Sequence, residues 1–100
     1  MVARGDIVDY TIGSRRIRVL VVSSDLFSEH YPVVVFVHDR ADGDVPGILL
    51  PLPLELAGGG TIDLSRIRFA DPTAFGRRHG RVPAELMARV DSGLRRLLNL

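Results

Sequence analysis

Two short apolar runs limit what this chain can fold into. They are Arg16-Ile17-Arg18-Val19-Leu20-Val21-Val22-Ser23 and Tyr31-Pro32-Val33-Val34-Val35-Phe36-Val37-His38. β-Branched residues dominate both, and their stiff side chains fit a pleated strand better than a helix. The first run is polar at its start and solidly apolar at its end, so it reads as a strand whose later half is buried on both faces. The second reads as a central strand.

The remaining segments follow from local chemistry. Residues 6–12 alternate strand formers (Ile7, Tyr10, Ile12) with Asp9 and Thr11, and Gly13-Ser14 signals a turn. Ser24-Asp25 can cap a short helical turn running to Glu29. Asp39 to Gly47 is predicted as an acidic loop. Ile48 to Leu56 carries Pro51 and Pro53, which cannot donate to a ladder, so it reads as an edge strand or extended rim. Ala57-Gly58-Gly59-Gly60 is a turn, and Thr61 to Phe69 a further strand. Asp71-Pro72 starts a short helix through an N-cap carboxylate and a proline at the first position. Arg77 to Arg81 reads as a glycine-bounded basic surface loop, with RNA or helix-terminus contacts as the alternative and His79 solvated. From Pro83 onward Leu86, Val90, Leu94, Leu97 and Leu98 recur at helical spacing on one apolar face. About five strands followed by one long helix predict an α+β domain around a small curled sheet or barrel.

At 100 residues the chain has room for one domain, residues 1–100. It has no cysteine, hence neither disulfides nor a thiolate metal site. No signal peptide is visible and no apolar run reaches the ~18 residues of a membrane span, so a cytoplasmic protein with no membrane partner is expected. The three histidines show no helical pairing, which argues against zinc. The net charge is only +1, yet all thirteen basic residues are arginine. Genomic base composition explains such a bias, and arginine also suits phosphate through its planar fork. The arginines cluster at 15, 16 and 18, at 66 and 68, and at 77, 78 and 81, while acids gather between Asp39 and Asp44. A cationic face is therefore compatible with a small net charge.

Two terminal segments carry a family resemblance. Arg4-Gly5-Asp6-Ile7-Val8 and then Val19-Leu20-Val21-Val22-Ser23-Ser24-Asp25-Leu26-Phe27 stand near one end. Ser65 to Asp91, a strand, a basic segment and a helix, stand near the other. Together they resemble the MazF/PemK toxins. The resemblance implies an SH3-like five-stranded or slightly larger β-barrel with a C-terminal helix. It also implies a homodimer, and a metal-independent, cofactor-free endoribonuclease that cuts single-stranded RNA and leaves a cyclic phosphate. A cognate antitoxin is implied whose extended C-terminal tail blocks the RNA groove, with DNA contacted only indirectly through that antitoxin.

The chemistry requires a base for the ribose 2′-hydroxyl, cations for the charge on the phosphorane, and a donor for the leaving 5′-oxygen. The family's arginine and proline at the entry of the second strand fall on Ile17 and Arg18, its strand-end threonine at about Asp39, and its fourth-strand glutamine at Arg66. Arg16 and Arg18 flank the arginine position and point together, opposite to Ile17. A bulge or slip would bring either into the pocket. The resulting expectation assigns Arg16 or Arg18 to the phosphorane, His38 or Asp39 to the base, and Arg15, Arg66 and Arg68 to the RNA backbone. Plainer readings stand beside it: a solvated strand entrance for the arginines, a hydrogen-bonded rim for His38, a loop cap for Asp39, and salt bridges for Arg66 and Arg68. The rival functions are a non-catalytic binding toxin of the same fold, like a gyrase poison, which the packing-helix look of the last residues disfavours, and a degenerate paralogue that binds RNA or antitoxin.

Overall fold

A computed structural model describes residues 2–40 and 48–100. Most of the acidic loop expected over Asp39 to Gly47 lies outside the described residues. The elements run β1 (Asp6–Ile12), β2 (Arg15–Val21), α1 (Asp25–Ser28), β3 (Val33–His38), β4 (Leu49–Leu52), β5 (Gly60–Phe69), a 3-10 turn (Pro72–Ala74), β6 (Phe75–Arg81) and α2 (Ala84–Leu98). The strands form one antiparallel sheet in the order β4-β5-β3-β2-β1-β6, curved into an open, barrel-like α+β fold. The curl brings the edges together: a Cβ placed on Gly80 in β6 would lie 4.0 Å from Leu56 Cδ1, beyond β4.

The β-branched runs are central strands because each buries both faces. On the helix side Ile7, Leu20, Val35, Val37, Leu50, Ile62 and Leu64 pack with Leu86, Met87 and Val90 of α2. On the opposite face Val8, Tyr10, Val19, Val21 and Val34 pack with Ala70. Each fully buried aliphatic side chain contributes roughly 1.5–3 kcal/mol through water release. Ser24 caps α1 by accepting from the Phe27 N–H, and Asp71 accepts from the Thr73 N–H before the 3-10 turn. Pro51 sits in β4 at the sheet edge, where its missing N–H costs no ladder bond.

The structure departs from the sequence reading in two places. Arg77 to Arg81 is not a loop but part of β6, paired with β1 through Asp6↔Arg81, Ile7↔Gly80, Val8↔Arg78 and Tyr10↔Phe75, with two register irregularities. Ion pairs rather than alternating apolar residues hold this edge strand. Arg78 and Arg81 reach Asp6, and His79 reaches Asp9. The apolar stripe of α2 also outruns the sheet. Leu94 packs against the core, but Leu98 and Leu100 are 54% and 87% exposed. The helix end is thus not a packed one, and the sequence reason for disfavouring a binding toxin lapses. Arg4 anchors the middle of α2, donating to Val22 O at 2.6 Å and to both carboxylate oxygens of Asp91.

Candidate nucleic-acid interface

Directly opposed residues of an antiparallel pair share a face. The pairs Val8↔Val19, Tyr10↔Ile17, Ile12↔Arg15 and Val19↔Phe36 therefore put Arg15, Ile17 and Phe36 on the sheet face that α2 does not cover. The β1–β2 register runs without interruption from Ile7↔Leu20 to Ile12↔Arg15. No bulge or slip turns Arg16 or Arg18 onto this face; Arg15 occupies it instead.

A break in β5 shapes this face. Val35 pairs with Ile67, but Phe36 pairs with Asp63, so Leu64, Ser65 and Arg66 have no partner in β3. The bulge re-aims the strand and sets Asp63 beside His38. Asp63 Oδ2 lies 2.8 Å from His38 Nε2, and Oδ1 accepts from Ser65 N–H at 3.0 Å and Ser65 O–H at 2.5 Å. Arg66 Nε stands 3.6 Å away. The Asp63 side chain is only 9% exposed. Burial opposes its ionisation, but the hydrogen bonds from Ser65 and His38 outweigh that and hold the carboxyl below the usual carboxylate value. An ionised carboxylate only accepts, so His38 Nε2 is the nitrogen that donates to Asp63, and Nδ1 is the one turned away from it.

Two adjoining clefts meet at His38. The first, of about 250 Å³, is lined by Ile12, Ile17, Phe36 and Val37 with Arg15, His38 and Arg66. The second, of about 290 Å³, wraps around the same strand ends and brings together Arg15, Arg16, Arg18, His38 and Asp39 with Asp9. Five of the residues singled out from the sequence thus converge, and Arg66 joins two of them in the first cleft.

Their states differ. Arg18 is engaged: Nη1 donates to Ala57 O at 2.6 Å and Gly59 O at 2.7 Å, and Nη2 to His38 O at 3.4 Å and Asp39 Oδ1 at 2.9 Å. Its side chain is 12% exposed while that of Asp39 is 92% exposed. Gly60 leaves the room for this arrangement, since a Cβ there would sit 2.1 Å from His38 O. The side chains of Arg15 and Arg16 are exposed and make no hydrogen bond or ion pair among the described residues. Arg68 lies apart from both clefts, its guanidinium carbon 5.9 Å from the Tyr10 ring centroid. Among the described residues no group of three or more histidine, aspartate or glutamate side chains could hold a metal ion, and no helix is long and apolar enough to cross a membrane.

Asp63 and Ser65 are the residues that sequence reasoning missed. The available signal was Asp63 itself, a lone carboxylate between Ile62 and Leu64 in a strand. A buried acid of that kind requires a partner.

The fold is shared with solved structures. An endoribonuclease from a mycobacterial species, in complex with its cognate antitoxin, superposes with a TM-score of 0.89 at 19% identity, over 100% of this chain and 97% of that one. MazF in a MazE–MazF complex from Deinococcus radiodurans gives 0.86 at 24% identity, over 99% and 96%. A second mycobacterial endoribonuclease gives 0.86 at 18%, over 99% and 92%. No curated protein sequence matches the chain. The family model of PemK-like, MazF-like toxins of type II toxin–antitoxin systems matches residues 3–98, and on that extent the chain belongs to this family.

Proposed function

We propose that this toxin is a metal-independent endoribonuclease that cuts single-stranded RNA in the cleft beside His38. The observation that carries the reading is the His38–Asp63 pair opening onto a cleft flanked by Arg15 and Arg66. In this scheme His38 Nδ1 takes the proton of the ribose 2′-hydroxyl. Asp63, fixed by Ser65, holds the ring and stabilises the imidazolium that forms. Arg15 and Arg66 on one side, and Arg16 on the other, face the charge that builds on the phosphorane. Phe36, Ile12 and Ile17 offer an apolar seat for a base. Arg18 serves as a positioning residue: it neutralises Asp39 and bonds the His38 carbonyl, so that Asp39 does not repel phosphate.

The solved MazE–MazF and endoribonuclease–antitoxin complexes of the same fold support a cognate antitoxin as partner. In this reading its extended tail competes for the groove, and DNA is reached only through it. A homodimer is the expected assembly. Phe27 and Phe69, with ring centroids 6.4 Å apart, lie on an exposed apolar surface with Leu26 and Tyr31 that a second copy would cover. The cytoplasm, where the RNA is, is the expected compartment.

The test is incubation of the purified chain with a long single-stranded RNA in EDTA, followed by mapping of cuts and ends. Site-specific cuts with cyclic phosphate ends, absent from a His38→Ala variant, are the expected result. An intact RNA, with DNA gyrase inhibited instead, would replace this reading with the binding-toxin one.

A further inference from the structure

The face that carries His38 also carries a second concentration of charge that the cleavage scheme does not use. Asp6 and Val8 share it by register, opposite Arg81 and Arg78 of β6. Asp6 is 2% exposed. Its Oδ2 accepts from the Ala3 N–H at 2.8 Å, and its Oδ1 accepts from Arg78 Nε at 3.0 Å and Arg81 Nε at 3.2 Å. Burial works against the charge on Asp6, but the Ala3 bond and the two guanidiniums outweigh it and keep the carboxyl below its ordinary value.

One buried anion therefore holds two guanidinium groups by the same atom. Each spends only Nε; neither makes a further hydrogen bond through its Nη groups among the described residues. Both side chains are more than half exposed. Two pre-oriented forks, turned outward and fixed from behind, are what bidentate recognition of a phosphate oxygen pair requires. Arg78 and Arg81 carry +2 against the −1 of Asp6, and Glu29 adds a second acid to the lining of the adjoining cleft, which Arg78 lines and Arg81 does not. That cleft measures about 340 Å³ and is lined by Val2, Val8, Phe75 and Gly76 as well as by Asp6 and Arg78.

The position fits a strand of RNA leaving the first cleft. Along β1 the first cleft begins at Ile12 and this one at Val8, a separation of about 13 Å at strand rise. Between them the sheet is covered by Ala70, Ala74 and Phe75; exposed Arg68 lies over the Tyr10 ring, with Asp71 beside the Tyr10 hydroxyl.

We propose that Arg78 and Arg81, set by Asp6, form a distal phosphate subsite that grips the RNA backbone a short way from the cut. The proposal rests on the endoribonuclease reading. The subsite adds affinity for long substrates and contributes nothing to the choice of base, since it meets only the backbone. An acidic peptide is the competing occupant; Arg68, exposed between the two clefts on the side of the sheet that His38 shares, favours RNA.

The experiment compares kcat/KM for a minimal RNA around the mapped cut with RNAs extended on the 5′ side and on the 3′ side. In the native chain one extension is expected to raise kcat/KM by about tenfold for two new phosphate contacts. In Arg78→Gln/Arg81→Gln, whose amides can still donate to Asp6, that ratio falls to about 1. The salt dependence on the long RNA flattens by about 1.4 in log–log slope. Asp6→Asn/Arg78→Gln/Arg81→Gln, which removes the buried charge as well, gives the same loss and excludes an unpaired carboxylate as its cause. A native chain that cuts RNA with no length advantage overturns the subsite and leaves the cleavage reading standing, as does an advantage that survives in the variants. Loss of binding to a Glu/Asp-rich peptide in the variants, with the RNA advantage intact, gives the forks to a peptide. A native chain that neither binds nor cuts RNA removes both readings.

Discussion

His38 and His79 each place Nε2 against a carboxylate, 2.8 Å from Asp63 and 2.7 Å from Asp9. Taken as pairs they are nearly interchangeable, with the imidazoles 31% and 24% exposed. Their surroundings separate them. Asp63 is held by two donors from Ser65, on a bulge, at the mouth of a cleft that arginines flank. Asp9 faces the helix side, opposite Arg18 across the β1–β2 ladder, and its histidine comes from the edge strand that it fastens to the sheet. In the proposed reading the same geometry serves chemistry in one place and cohesion in the other. A hydrogen-bonded histidine is therefore informative only together with what its second nitrogen faces.

The comparison predicts its own largest effect. His38→Ala should lower kcat for RNA cleavage by about 10²- to 10⁴-fold, the usual worth of a positioned proton acceptor, with a stability loss of about 1 kcal/mol for the lost bond to Asp63. A variant that keeps a tenth of the native rate would move the base elsewhere, with Asp39 the first candidate. Next in size is Arg18→Met. It removes donors from the carbonyls of Ala57, Gly59 and His38 together, and a stability loss of about 2–3 kcal/mol is expected by denaturant titration. The loss of rate should be no greater than that of a displaced His38.

Much of this contrast was legible in the sequence, and the illegible part has a physical cause. The β-branched run at Val19–Val22 announced a strand buried in its later half, and that at Val33–Val37 a central strand, because burial on both faces leaves no room for polar alternation. Ser24 announced a cap, Asp71 the start of a short helix and Pro51 an edge, the first two through side-chain acceptors and the last through the backbone N–H that proline lacks. β6 stayed hidden because Phe75-Gly76-Arg77-Arg78-His79-Gly80-Arg81 contains one apolar residue and is held by ion pairs to residues about seventy positions away. Asp63 stayed hidden because its meeting with His38 depends on a bulge that local sequence does not specify. The arginines at 15, 16 and 18 were recognisable as a group. Which of them is engaged and which is open depends on the β4–β5 turn, where Gly60 brings the backbone against His38.

The pH dependence of stability tests the Asp63 half of the comparison. Its carboxyl is held below the ordinary carboxylate value in the folded chain, so it contributes stability that is present above about pH 4 and lost as pH falls through the folded value. Asp63→Asn should flatten the acid limb of a plot of unfolding free energy against pH, and should lower kcat because the amide no longer stabilises the imidazolium. An unchanged acid limb would mean that the carboxylate gains nothing from Ser65 and His38 in the folded state.

The smallest expected effect falls on the other pair. His79→Ala deletes one hydrogen bond between β6 and β1, while the backbone ladder from Asp6↔Arg81 to Tyr10↔Phe75 remains. The expected loss is about 1 kcal/mol, the net worth of a partly exposed side-chain hydrogen bond, read as a lowered denaturation midpoint with kcat within twofold of native. His79→Asn, whose amide can still donate to Asp9, should recover part of that stability. If His79→Ala instead lowers kcat as far as His38→Ala does, with its midpoint unchanged, the two pairs are both chemical. Asp9, which already lines the second cleft beside Arg16 and His38, then becomes the wall through which His79 acts.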